Sequence, residues 1–102
     1  MFLARFSYDL LPVNRDRAVA FIRKEVEAAG RNGLGARLLV PLSRGKNCPA
    51  LQFEVELTSL DQLETFRRQG QGSGEDAGEW MRAFSEILTA PPLVEILRVD
   101  TP

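Results

Sequence analysis

Histidine is absent from this chain of 102 residues, and cysteine, tryptophan and tyrosine each occur once. Without histidine there is no Ser-His triad and no imidazole-held metal centre. The single cysteine, Cys48, cannot close an internal disulfide, which makes the cytoplasm the expected compartment. Cys48 also lacks a histidine to activate it as a nucleophile. No apolar run approaches the roughly 20 residues of a membrane span. The opening Met1-Phe-Leu-Ala-Arg-Phe-Ser-Tyr8 alternates instead of forming the apolar block of a signal peptide. Neither sign of charge dominates: 13 basic residues face 14 acidic ones, for a net charge of −1. Nucleic acid and anionic membrane both require a clustered basic surface, so neither is an expected partner. There is no internal repeat. The glycine run 70–74 lacks the preceding strand and the Lys-Ser/Thr ending of a phosphate loop, and reads as a helix break.

What remains is ordinary in amount, 44% apolar and 26% charged, and informative in arrangement. A chain of this length reads as one domain, 1–102, with a single core. Its organising stretch is Ala50-Leu-Gln-Phe-Glu-Val-Glu-Leu57. Leu51, Phe53, Val55 and Leu57 alternate with Gln52, Glu54 and Glu56, the period-two pattern of a strand with one apolar face. Ser59 stands three residues before Gln62, the spacing of a capping box, so a helix starts there, with Leu60, Leu63 and Phe66 inward. A second strand opens the chain, with Phe2, Ala4, Phe6 and Tyr8 on one side. Asn14 is a candidate N-cap, followed by Asp16 in the first helical turn. Val19, Ile22, Val26 and Ala29, with Ala18 and Phe21 beside them, form a helical stripe that Gly30 ends. Ala36, Leu38, Val40 and Leu42 mark a third strand. It contains Pro41, which has no ladder donor and demands an edge position or a bulge. After the glycine run, Ser73 caps a further helical piece with Ala77, Trp80, Met81, Phe84, Ile87 and Leu88 on its apolar face. Leu93–Val99 is the last strand.

The order β-α-β-β-α-β, with the second helix broken near 70–74, is the ferredoxin-like α+β pattern. Right-handed crossovers place both helices on one face of a four-stranded antiparallel sheet, with the first and third strands central. The other face then gathers Arg5, Ser7, Arg37, Gln52, Glu54 and Glu56. An RNA-recognition module shares this order, but it needs aromatic residues where this chain has Arg5, Ser7, Gln52 and carboxylates.

The strand Phe2–Tyr8, the step Phe53-Glu-Val-Glu-Leu-Thr-Ser-Leu-Asp61, the Trp80-bearing helix and the closing Pro92–Val99 carry a resemblance over most of the chain. It resembles the dimeric α+β barrel superfamily, nearest to NIPSNAP-like or uncharacterised small members. The resemblance implies a homodimer packed sheet to sheet through Arg5, Ser7, Arg37, Gln52, Glu54 and Glu56. It also implies a pocket between helices and sheet for a small apolar or aromatic molecule, with Phe6, Tyr8, Phe53, Trp80, Met81 and Phe84 as candidate lining. Core packing is the simpler reading of each of those aromatics. Relatives that hold haem through histidine are excluded, and no metal or cofactor is expected. The favoured function is a dimeric small-molecule-binding protein. The alternative is a cofactor-independent monooxygenase, or a related isomerase or cyclase, using the same pocket. Other candidates have plain explanations beside them: Tyr8 with Asp9 or Glu54 as acid/base groups, Arg44 with Lys46 or Arg67 with Arg68 as anion grips.

Overall fold

The computed structural model describes residues 1–43, 45, 48–62, 64 and 82–100. Its sheet has four antiparallel strands: β1 (Phe2–Tyr8), β2 (Ala36–Leu39), β3 (Leu51–Leu57) and β4 (Leu93–Arg98). They lie in the order β2-β3-β1-β4, so the first and third strands are central, as the ferredoxin-like pattern requires. β3 is the best-buried strand because its alternation is the cleanest. Leu51, Phe53, Val55 and Leu57 are all at most 1% exposed. The register pairs Phe6 with Phe53 and Ala4 with Val55, putting like with like on the helix side.

The long helix α1 spans Arg15–Arg31 and follows a 3-10 turn at Pro12–Asn14. Asn14 occupies the N-cap position, but its side chain makes no capping bond. The helix also runs past Gly30. It ends in a Schellman motif, in which Leu34 N–H donates to the Ala29 carbonyl (2.9 Å) and Gly33 N–H to the Gly30 carbonyl (3.0 Å). The left-handed residue that this closure needs is Gly33, at φ 74°, not Gly30. The buried line of α1 is Ala18, Ile22, Glu25, Ala28 and Ala29, while Val19 and Val26 are only half-buried beside it.

β2 stops at Leu39, before Pro41, because the proline cannot donate to the ladder. Val40 and Leu42, expected on the inner side of that strand, are therefore exposed, Leu42 at 90%. The Ser59 corner forms as its spacing predicts. Gln62 N–H donates to Ser59 Oγ (3.4 Å), and the Gln62 side chain accepts from Thr58 N–H (2.7 Å). Helical backbone covers 60–62 and 64, yet Leu60 points outward and is exposed, against expectation. It is the first residue after the cap, where the helix has not yet turned its face to the sheet.

A further helical segment, 82–86, is tied to the end of β1 by a bridge between Leu10 and Leu88 and by Thr89 N–H donating to the Asp9 carbonyl (2.9 Å). That tie places Phe84 and Ile87 over the sheet, where both are buried. The expected break at 70–74, the Ser73 cap, Leu63, Phe66 and Ala77 lie outside the described residues. Among the described residues no helix is long and apolar enough to cross a membrane.

Candidate active site between α1 and the sheet

One polar group stands inside the apolar layer. Glu25 falls in the middle of the buried stripe of α1, three residues after Ile22 and four before Ala29, so the helix carries its carboxyl inward. It is 3% exposed. Tyr8, the last residue of β1, reaches it from the sheet, with Oη 3.5 Å from Glu25 Oε2. That distance is long for an O–H···O bond, whose usual range is about 2.5–3.0 Å. Burial pushes the Glu25 carboxyl up to about 8 from its ordinary 4.5, and the Tyr8 hydrogen bond pulls it only partly back. Burial raises the Tyr8 hydroxyl too, reinforced by the neighbouring carboxylate, so tyrosine stays protonated at any ordinary pH.

The surroundings of this pair are aromatic. The Phe84 ring meets Tyr8 edge-on at 4.9 Å, and Phe21 of α1 lies 5.4 Å from Phe84. The basic residues of α1, Arg15, Arg17, Arg23, Lys24 and Arg31, are all exposed. A buried carboxyl with a titration point near neutrality is suited to proton transfer, because it can hold or release a proton at working pH.

Of the expected pocket residues, the structure brings Tyr8 and Phe84 together. Phe6 and Phe53 form a second ring pair at 5.6 Å on the same side of the sheet. Trp80 and Met81 lie outside the described residues. Glu25 was missed from the sequence. Its signal was present, a lone carboxylate at helical spacing within an otherwise apolar stripe.

The opposite sheet face holds the other expected set. Glu54 is 2% exposed, and it binds Arg5 (Nη2–Oε2, 2.9 Å) and Arg37 (Nη2–Oε1, 2.5 Å; Nε–Oε1, 3.1 Å). Burial alone would raise the Glu54 carboxyl. The hydrogen bonds from Arg37 and Arg5 outweigh it and hold the group below its usual range. Gln52 donates to Ser7 Oγ (3.1 Å), and Glu56 is exposed at the end of the same face. In register, Arg37, Glu54, Arg5 and Glu95 form one row of alternating charge across all four strands. Leu3 and Leu97 flank it on one side, and Leu39 and Leu93 on the other.

A separate groove of about 380 Å³ opens where the chain leaves β1 and enters β3, beside Leu10, Pro12, Pro41 and Cys48. Among the described residues Arg15 is its one charged lining residue. The Cys48 thiol is spent on the Ser43 carbonyl at 3.0 Å. Asp9 is exposed at the strand end. Arg44, Lys46, Arg67 and Arg68 lie outside the described residues.

No protein-family model matches the chain, and no curated protein matches its sequence. Solved structures do match its fold. It is similar to a crystal structure described as an antibiotic biosynthesis monooxygenase, with TM-score 0.72 at 14% identity over 99% of this chain and 100% of the other. A candidate antibiotic biosynthesis monooxygenase from Caulobacter crescentus gives TM-score 0.64 at 17% identity, covering 98% of this chain and 90% of that one. A third structure, so described from Bordetella bronchiseptica, gives 0.59 at 14% identity, with 98% of each chain covered. None of these three is described as NIPSNAP-like. The fold of this chain is thus the ferredoxin-like α+β fold that these antibiotic biosynthesis monooxygenase structures share.

Proposed function

We propose that the chain is a cofactor-independent oxygenase acting on a small aromatic molecule held between α1, the 82–86 segment and the helix side of the sheet. The observation that carries this reading is Glu25, a buried carboxyl raised to about 8 whose partner Tyr8 stands in a ring cluster with Phe84 and Phe21. A pure binding pocket for an apolar ligand gains nothing from a carboxyl that must be desolvated. The names of the three fold relatives favour the same choice over simple binding. In such a reaction the substrate brings its own electrons to dioxygen, and the protein supplies position and a place for the proton. The test is dioxygen uptake by the purified protein with a panel of electron-rich hydroxyarenes, no flavin or haem being added. Saturable, protein-dependent uptake is expected. Tight binding without uptake across the panel would return the chain to the binding reading.

The second part of the reading is self-association through the outer sheet face, by Arg5, Ser7, Arg37, Gln52, Glu54 and Glu56. Covering such a face is tolerable only if its charges are already paired, and Glu54 is paired twice within the chain. The four flanking leucines supply the apolar area. Sedimentation should report a dimer, and a stable monomer at micromolar concentration would remove this part. A cytoplasmic location fits it, since Cys48 then stays a thiol.

A further inference from the structure

We propose that the groove between the β1–α1 turn and the entry to β3 is a second binding site, and that it takes small amphiphilic monocarboxylates. Arg15 grips the carboxylate, and the proline and leucine wall covers the apolar chain. This does not rest on the oxygenase reading, because none of Tyr8, Phe21, Glu25 and Phe84 lines the groove.

Four observations lead there. The first is size. At about 380 Å³ the groove falls within the roughly 300–1,000 Å³ of small-molecule sites. A smaller hollow of about 170 Å³, on the outer sheet face, is lined by Glu54 and Glu56 and suits no anion.

The second is that the wall is built before any ligand arrives. Pro12, Pro41 and Pro49 each fix a backbone angle in it. Asn14 N–H donates to the Leu11 carbonyl (2.9 Å) and Arg15 N–H to the Pro12 carbonyl, so the backbone that carries Arg15 is set by the 3-10 turn. In the connection from β2 to β3, Cys48 N–H donates to the Gly45 carbonyl (3.1 Å) and the Cys48 thiol to the Ser43 carbonyl (3.0 Å). Ala50 N–H then donates to the Tyr8 carbonyl (3.0 Å), which ties that connection to the end of β1. Ordering done in advance is not charged against binding.

The third is charge. Among the described residues Arg15 is the one charged group lining the groove, and it forms no ion pair there. Asp9 and Asp16 are exposed at the same end of the chain and do not line it. A guanidinium presents a planar fork of donors that a carboxylate matches with both oxygens.

The fourth is the apolar rim. Leu11 and Val13 flank Pro12, Val40 and Leu42 flank Pro41, and all four are exposed. Grouped apolar side chains left in water beside a groove mark an interaction surface. One cation on an apolar bed is complementary to one anionic head on an apolar tail, and opposed to a cationic head.

The chain carries its own reporter, since Cys48 is its only cysteine, is half-buried and lines the groove. The experiment follows the rate at which N-ethylmaleimide modifies Cys48 at about pH 7, with octanoate, octanol or octylamine added below their micellar range. Octanoate should slow the reaction saturably. Octanol should need roughly tenfold more to do the same, the value of a charge-assisted hydrogen bond. Octylamine should protect least. Hexanoate should be roughly tenfold weaker than octanoate, having two fewer methylenes to cover. Arg15→Gln should bring octanoate down to the level of octanol and leave octanol unchanged. Arg17→Gln, on the same helix but outside the groove, should keep the preference. No protection by octanoate, equal protection by octylamine, a preference that survives Arg15→Gln, or one equally lost in Arg17→Gln would each overturn the proposal. So would a rate that falls with protein concentration alone, which would give the groove to a second copy of the chain.

Discussion

Replacing Glu25 with glutamine should make the protein more stable at alkaline pH and flatten its dependence of stability on pH. The folded chain holds the Glu25 proton up to about 8, against 4.5 as the ordinary value. A group with a raised folded pKa lends stability that is fully present below the unfolded value and is lost as pH climbs through the folded one. The window of loss therefore runs from about 4.5 to about 8. One pKa unit corresponds to about 1.4 kcal/mol, so the loss across that window is on the order of 4–5 kcal/mol at most. Glutamine has nearly the same shape and no proton to lose. Urea midpoints of both proteins at about pH 5, 7 and 9 isolate the contribution, because every other titrating group is common to the pair. Glu54 does not confuse the result. Its carboxyl is held low, so its contribution is present above 4.5 and fades only as the solution is acidified further. Curves that stay parallel over the range would show that Glu25 is not buried as an acid.

The second large effect belongs to Phe53. It is fully buried at the middle of β3, faces Phe6 across the central strand pair, and is the bulkiest of the fully buried side chains among the described residues. Phe53→Ala removes a ring's worth of transfer energy and leaves a void that the paired strands cannot close, a loss of about 3–5 kcal/mol. Domains of this kind have only about 5–15 kcal/mol in total, so the variant should sit near its unfolding transition at room temperature. Leu60→Ala is the companion measurement. Leu60 is as apolar as a core residue but exposed, so its removal should change stability by no more than about 0.5 kcal/mol. Similar losses from both substitutions would mean that the assigned interior is wrong.

Those two leucine and phenylalanine positions show how the sequence informs on some matters and not on others. Phe53 was legible because strand alternation is a strict period of two, and one wrong step would turn every side chain over. The strand order was legible for a related reason, since Pro41 requires an edge and the crossover rule leaves β1 and β3 in the centre. Leu60 was misread because hydrophobicity alone does not tell where a helix first meets its sheet. The glycine that closes α1 was placed three residues early, since Gly30 and Gly33 look alike until backbone angles distinguish them. The site itself was half legible. Tyr8 and Phe84 could be named from their faces, but Glu25 is a polar residue on an apolar stripe, where residue type alone points outward. A search for the exception within the stripe would have found it.

The row Arg37, Glu54, Arg5, Glu95 has a last implication for how any partner arrives. Its formal charges sum to zero, with Glu54 bound between Arg37 and Arg5 and Glu95 balancing the positive charge left over, so little of the row's field reaches beyond a few water layers. An approaching surface is thus not drawn in from afar or turned into alignment before touching. Encounters on this side proceed at the pace of unguided diffusion, and recognition begins only once the leucine margins meet.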